Sequence, residues 1–184
     1  MLRNEAARAL RRRSYMAIEN DVRRFSRIAA LRVWELVWAG IERLVTEARE
    51  TLGSHLREGT LDARRLGGDG HREIGELVIG RTRLRLECTL DCRMATPQEP
   101  FLDDVFGPTA PLVRVLVLRE TEGGAVLDSM LAADPASGIW VSTNVDLPPA
   151  QLEDLPSFEI FFWSLITDHS PKETTRSSPA AGDR

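Results

Sequence analysis

The sequence predicts an α+β protein, with one long N-terminal amphipathic helix packed on a mostly antiparallel sheet of five to six strands. Three observations carry this. Apolar residues between Ser14 and Glu58 recur at helical spacing. From Arg72 onward the recurrence changes to steps of two, the period of a strand. Between the two regimes, Gly67, Gly68, Asp69 and Gly70 read as a flexible connection. The implied organisation is a basic arm over 1–13, one domain over 14–169 with the helix at 14–58 and the sheet at 72–167, and a disordered tail over 170–184 rich in Ser, Pro, Thr and charge.

The long helix carries two apolar stripes. With Ile18 at zero and roughly 100° per residue, Val22, Phe25, Ala29, Val33 and Leu36 lie within about 60° of it. Val37, Ile41, Leu44, Val45, Ala48, Leu52 and Trp34 lie at about 80–180°. One straight helix on one surface would keep a single stripe, so this one meets two different things, unless it bends at Gly40. The later stripe suits the protein's own sheet, covering the face that bears Leu84, Leu86 and Leu90. The earlier stripe lacks an evident mate within the chain, although the segment after Leu147 is a candidate to cover it. Residues 4–13 favour helix and either continue into the long one or precede a new start capped by Ser14. Gly59 is the expected stop.

The strands follow in order. Glu73–Ile79 is short and apolar, and Gly80 turns the chain. Residues 81–93 alternate throughout: Leu84, Leu86, Cys88, Leu90 and Cys92 on one face, Arg81, Arg83, Arg85, Glu87, Thr89, Asp91 and Arg93 on the other. Residues 94–111 hold four prolines and no period, which predicts a long loop. Residues 112–119, 125–133 and 139–146 predict a three-stranded meander, with turns at Glu122–Gly124 and Asp134–Gly138. Residues 150–155 suggest a helical turn or two. Residues 158–166 suit a strand by their aromatic and β-branched content, although periodicity alone does not separate strand from core helix over so short a run.

Composition excludes several chemistries. Arginine supplies all but one of the 24 basic residues, and the one lysine, Lys172, lies in the tail. A P-loop or Schiff-base lysine therefore has no candidate. The net charge of −4 argues against a generic nucleic-acid binder. It is unevenly spread, however. Residues 1–32 hold nine arginines against Glu5, Glu19 and Asp21, a net +6, which leaves −10 on the rest.

Cys88 and Cys92, four apart on a strand, sit about 13 Å from one another. That is too far for a disulfide, and reduced thiols suit a cytoplasmic protein. With two Cys and three His (His55, His71 and His169) at no metal-ligand spacing, no metal or other cofactor is expected. Asp103 and Asp104 beside Glu99 lack a second ligand cluster. Gly-x-Ser-x-Gly, P-loop and dinucleotide fingerprints are absent. No apolar run approaches a membrane span, and no secretory h-region is evident. The Arg- and Ala-rich start, with Glu5 in it, suits a plain helical N-terminus rather than a transit sequence.

The leading expectation is a non-enzymatic interaction protein that self-associates, as a dimer, or binds a protein partner through the first half of the helix. Its contact residues would be Ile18, Val22, Phe25 and Ala29, with Trp34 and Trp38 where the stripes cross. Arg11, Arg12, Arg13, Arg23, Arg24 and Arg27 form the basic side. Contact of that side with nucleic acid is the second reading. An enzyme with a site near the 94–111 loop is the third.

Overall fold

The computed structural model describes residues 2–52, 61–143 and 148–169. The fold is α+β, one long helix with an antiparallel sheet, and the strand count is seven rather than five to six. Helix α1 (Leu2–Leu52) is 51 residues long, roughly 77 Å at 1.5 Å per residue. It runs as one helix through Gly40, without a break there. The region of the expected stop at Gly59 lies outside the described residues.

Strands β1 (Leu61–Gly68), β2 (Arg72–Ile79), β3 (Thr82–Thr89), β4 (Val113–Thr121), β5 (Gly124–Ala133), β6 (Ile139–Ser142) and β7 (Ala150–Gln151) form one sheet in chain order, every neighbouring pair antiparallel. Two short additions complete it, α2 (Pro100–Phe106) and α3 (Leu155–His169).

The alternation read across 81–93 is realised, but the strand itself is shorter, β3 ending at Thr89. Leu84, Leu86, Cys88 and Leu90 are buried on an inner face with Leu77 and Ile79 of β2 and Val113, Val115 and Val117 of β4. The later stripe of α1 closes this face with Val37, Ile41, Leu44, Val45 and Ala48, and α3 closes it with Phe158, Phe161, Phe162 and Leu165. A buried Trp38 ring lies against Gly75 of β2, where a Cβ would overlap the ring. The outer face has its own smaller core. Leu102 of α2 is buried with Leu112, Met130, Ala132 and Val141.

Three expectations are corrected. Residues 61–68 are a strand rather than an unassigned approach to a linker. On this edge strand Leu61 and Ala63 face inward as usual, but the next inward position is Arg65, which reaches Glu35 on α1 at 2.6 and 3.0 Å. Its charge hides the alternation. Gly67 and Gly70 take positive φ around the turn into β2. Residues 158–166 belong to helix α3, not to a strand. Phe158, Phe161, Phe162 and Leu165 recur at i, i+3, i+4 and i+7 while Glu159 and Ile160 are exposed, so burial of one helical face outweighs β-propensity. Residues 150–155 supply the short strand β7 and a turn rather than helix, α3 beginning only at Leu155.

Gly40 is a contact point. A methyl group there would sit 2.6 Å from the Phe158 ring. Alanine ordinarily stabilises a helix interior by about 1 kcal/mol over glycine. Here the overlap reverses the sign, at a cost of roughly 1–3 kcal/mol for forced repacking. Gly40→Ala is expected to lower the melting temperature, and differential scanning calorimetry measures it.

Candidate protein-interaction surface

Helix α1 is pinned to the sheet from Ser26 onward. The Ser26 hydroxyl accepts a hydrogen bond from the Cys92 amide at 2.5 Å, and the Cys92 thiol meets the Ser26 carbonyl at 3.6 Å. One turn later the Cys88 thiol approaches the Ala30 carbonyl at 3.9 Å. Further along, Arg49 donates to the Leu61 carbonyl and to Asp62. Burial on α1 begins at Ala30 among the described residues.

Ahead of Ala30 the apolar residues stand in solvent. Val22 is 60% exposed, Phe25 70% and Ile28 55%, while Ala29 is half-buried. Arg23, Arg24 and Arg27 are exposed among them. The side chains of Ile18, Arg11, Arg12 and Arg13 lie outside the described residues. The described part of the segment after Leu147 covers α1 farther along, through Phe158 at Gly40, and does not cover Val22, Phe25 or Ile28.

Two of the expected contact residues sit elsewhere. Trp34 and Trp38, at 0% and 2% exposure, stack on one another with ring centroids 5.4 Å apart and belong to the inner core. Trp38 satisfies its indole N–H on Glu42 at 2.7 Å, whereas the Trp34 indole N–H finds no acceptor among the described residues. Their angular position near the later stripe explains this, because at about 160–200° from Ile18 they face the sheet. Val33, placed by angle with the earlier stripe, is also buried. Leu36 is half-buried and packs at the core margin. The exposed surface therefore consists of Val22, Phe25 and Ile28 with Ala29.

Toward its middle α1 borders a cleft of about 240 Å³, lined by Arg32, Val33, Leu36, Gly138, Leu152 and Glu153 among others. Arg32 and Glu153 approach to 4.0 Å across it, both well exposed, a geometry that contributes little to stability.

The remaining candidates are occupied by structural tasks. On the outer face, Arg85 pairs with Glu87 at 2.6 Å, Arg72 with Glu87 at 3.2 Å and Arg83 with Glu76 at 3.7 Å. The arginines of this face are thus laced with carboxylates, as expected of a solvated sheet face. Both cysteines are free, and burial pushes both thiols up, Cys88 to about 12, so neither is poised as a thiolate at neutral pH. Among the described residues no three His, Cys, Asp or Glu come together as metal ligands.

The 94–111 segment, expected as a loop, contains α2 and serves as a cover. Glu99 receives a two-pronged hydrogen bond from Arg114 at 2.9 and 2.8 Å, and Arg114 also donates to the carbonyls of Arg93 and Met94. Arg114 holds the Glu99 carboxyl below its ordinary range against the opposing effect of burial, with Thr96 helping. A cleft of about 200 Å³ beside this segment is lined by Thr89, Asp91, Arg93, Leu112, Arg114 and Leu116. It brings no histidine, cysteine or serine to its walls.

No helix among the described residues is long and apolar enough to cross a membrane. Comparison with protein-family models, with curated proteins and with solved structures returns no match.

Proposed function

We propose that the protein is a non-enzymatic interaction module whose working surface is the first half of α1. The observation that supports this most is the run of bare apolar side chains at Val22, Phe25 and Ile28 on a helix whose own core begins only at Ala30. Large apolar residues grouped on one exposed helical segment are the usual mark of a protein contact site. Most of a helix's stability in a protein comes from packing its apolar face, so a partner would also stabilise this part of α1. A second copy or another protein fits this description. A cytoplasmic setting is part of the same proposal, supported by two thiols left unpaired.

Phe25→Asp tests the reading. Phe25 makes no contribution to the described core, so the variant is expected to keep the wild-type melting temperature while losing association, measured as mass by light scattering and as capture by the immobilised chain. Association that survives the substitution would sink the proposal. Binding to nucleic acid that weakens steeply with salt and vanishes on removing residues 1–13 would favour the second reading instead.

A further inference from the structure

We infer that the cleft beside the middle of α1 is a binding site for a small zwitterion, a free amino acid with an apolar side chain. The inference goes beyond the proposed contact surface and does not depend on it.

Three elements enclose the cleft: α1, the turn between β5 and β6, and the turn that leads from β7 into α3. Both turns are fixed by their own hydrogen bonds. The Asp134 carboxylate accepts from the Ala136 amide at 2.9 Å, the Ser137 amide at 3.3 Å and the Ser137 hydroxyl at 2.7 Å. The Gly138 amide donates to the Asp134 carbonyl, and the Leu152 amide donates to the Gly138 carbonyl, each at 2.8 Å, which ties the two turns together. The Asp154 amide closes the second turn on the Gln151 carbonyl at 2.9 Å. Walls ordered in advance lose little freedom when a ligand arrives.

The floor is apolar, with Val33 and Leu152 buried and Leu36 half-buried. The rim is charged, with Arg32 on one side and Glu153 on the other, 4.0 Å apart. An apolar floor with a few polar groups is the usual make-up of a ligand pocket. A volume of about 240 Å³ lies below the roughly 300–1,000 Å³ of pockets for drug-sized molecules, so the ligand is a smaller one.

The opposed charges select its class. A simple carboxylate bound to Arg32 would strip Glu153 of its partner, and a simple amine bound to Glu153 would strip Arg32 of its own. A zwitterion serves both: its carboxylate takes Arg32, its ammonium takes Glu153, and one long ion pair becomes two charge-assisted contacts. The Arg32 and Glu153 side chains are well exposed, so they part easily to admit it. With both charges at the rim, the substituent on the carbon between them meets Val33, Leu36 and Leu152, where an apolar group buries surface. A peptide carries its two terminal charges on different residues, so the free amino acid is the form that fits.

Leucine is the probe, followed through the amide resonances of the isotopically labelled full chain. Saturable shifts are expected at Gly138, Leu152 and Glu153, with a Kd on the order of 1 mM because the rim is open to water. Isopentylamine, which lacks the carboxylate, isocaproate, which lacks the ammonium, and glycine, which lacks the side chain, are each expected to bind at least about fivefold more weakly. Arg32→Gln and Glu153→Gln should each weaken leucine by at least about fivefold and keep the wild-type melting temperature, since the exposed pair contributes little to the fold. Absence of saturable shifts at those amides up to roughly 20 mM leucine would overturn the inference. Isopentylamine or isocaproate binding as well as leucine would mean that one charge alone is read, and the zwitterion would be ruled out. Leucine binding unchanged in both variants would place its site elsewhere and overturn the inference too.

Discussion

Gly75→Val is expected to be among the most damaging single substitutions in the described fold. Gly75 sits inside β2, at an inner-face position where other strands place Leu or Val, and it is buried because the Trp38 ring occupies the space above it. Valine would ordinarily suit a strand better than glycine, by up to about 1 kcal/mol. That gain is outweighed, because the Cβ alone already overlaps the indole ring. The ring has little room to retreat, being stacked on Trp34 and tied to Glu42 through its N–H. Overpacking of this kind costs roughly 3 kcal/mol or more. A chain of 184 residues should then lose about 6–12 °C of melting temperature. Calorimetry on Gly75→Val, Trp38→Leu and the double variant checks the cause as well as the size. If the clash is the mechanism, the double variant is more stable than the sum of the single effects. Strict additivity would mean that Gly75 matters for some other reason.

The second large effect is expected at Arg114. This side chain is only 15% exposed and its partner Glu99 only 17%, so removing the cation strands a carboxylate with little access to water. It also frees the Arg93 and Met94 carbonyls from their donor. Breaking a buried pair from one side costs about 3–5 kcal/mol. Partial exposure brings the expectation for Arg114→Ala nearer to about 2–3 kcal/mol. The sign of the pH dependence is fixed. The Glu99 carboxyl titrates lower in the folded chain than in the unfolded one. Its contribution is therefore complete above the ordinary glutamate range, near pH 4.3, and is lost as pH falls toward the folded value. The melting-temperature gap between wild type and Arg114→Ala should be widest at pH 6–7 and shrink below about pH 4. A gap that stays constant down to pH 3 would contradict this account.

Much of the sheet was legible because its strands obey one simple rule. Residues 84–90 alternate strictly, and each inward residue is apolar, so periodicity and burial agree. Legibility failed where a polar residue took an inward position for a tertiary reason. Arg65 on β1 faces inward toward a carboxylate on α1, and no local pattern announces a partner 30 residues away. The segment at 158–166 failed differently. Its i, i+3, i+4, i+7 spacing was present, but the run is short and its composition equally suits a strand.

The working surface divides along the same line. Angles around α1 separated the two stripes correctly in principle, and the later one meets the sheet as expected. The angular boundary was less sharp. Val33, within 60° of the earlier stripe, is buried by the sheet side, and the two tryptophans belong wholly to the core. What no single-helix projection contains is where along its length the helix leaves its own sheet. That point is set by the Ser26 hydroxyl meeting the amide at Cys92, a contact spanning 66 positions.

The order of the chain also imposes a schedule on its making. The sheet is a plain meander, so each hairpin can close against the strand made just before it, which favours rapid local assembly. Helix α1 is different. It leaves the ribosome ahead of the sheet, but Trp38 finds Gly75 only once β2 exists, and Gly40 meets Phe158 only after all seven strands have been translated. At a synthesis rate of roughly 5–20 residues per second, that leaves the buried side of α1 uncovered for several seconds or more. During that interval both stripes are bare, and the arginines spread through the first 32 residues are what keep so apolar a helix dispersed in water.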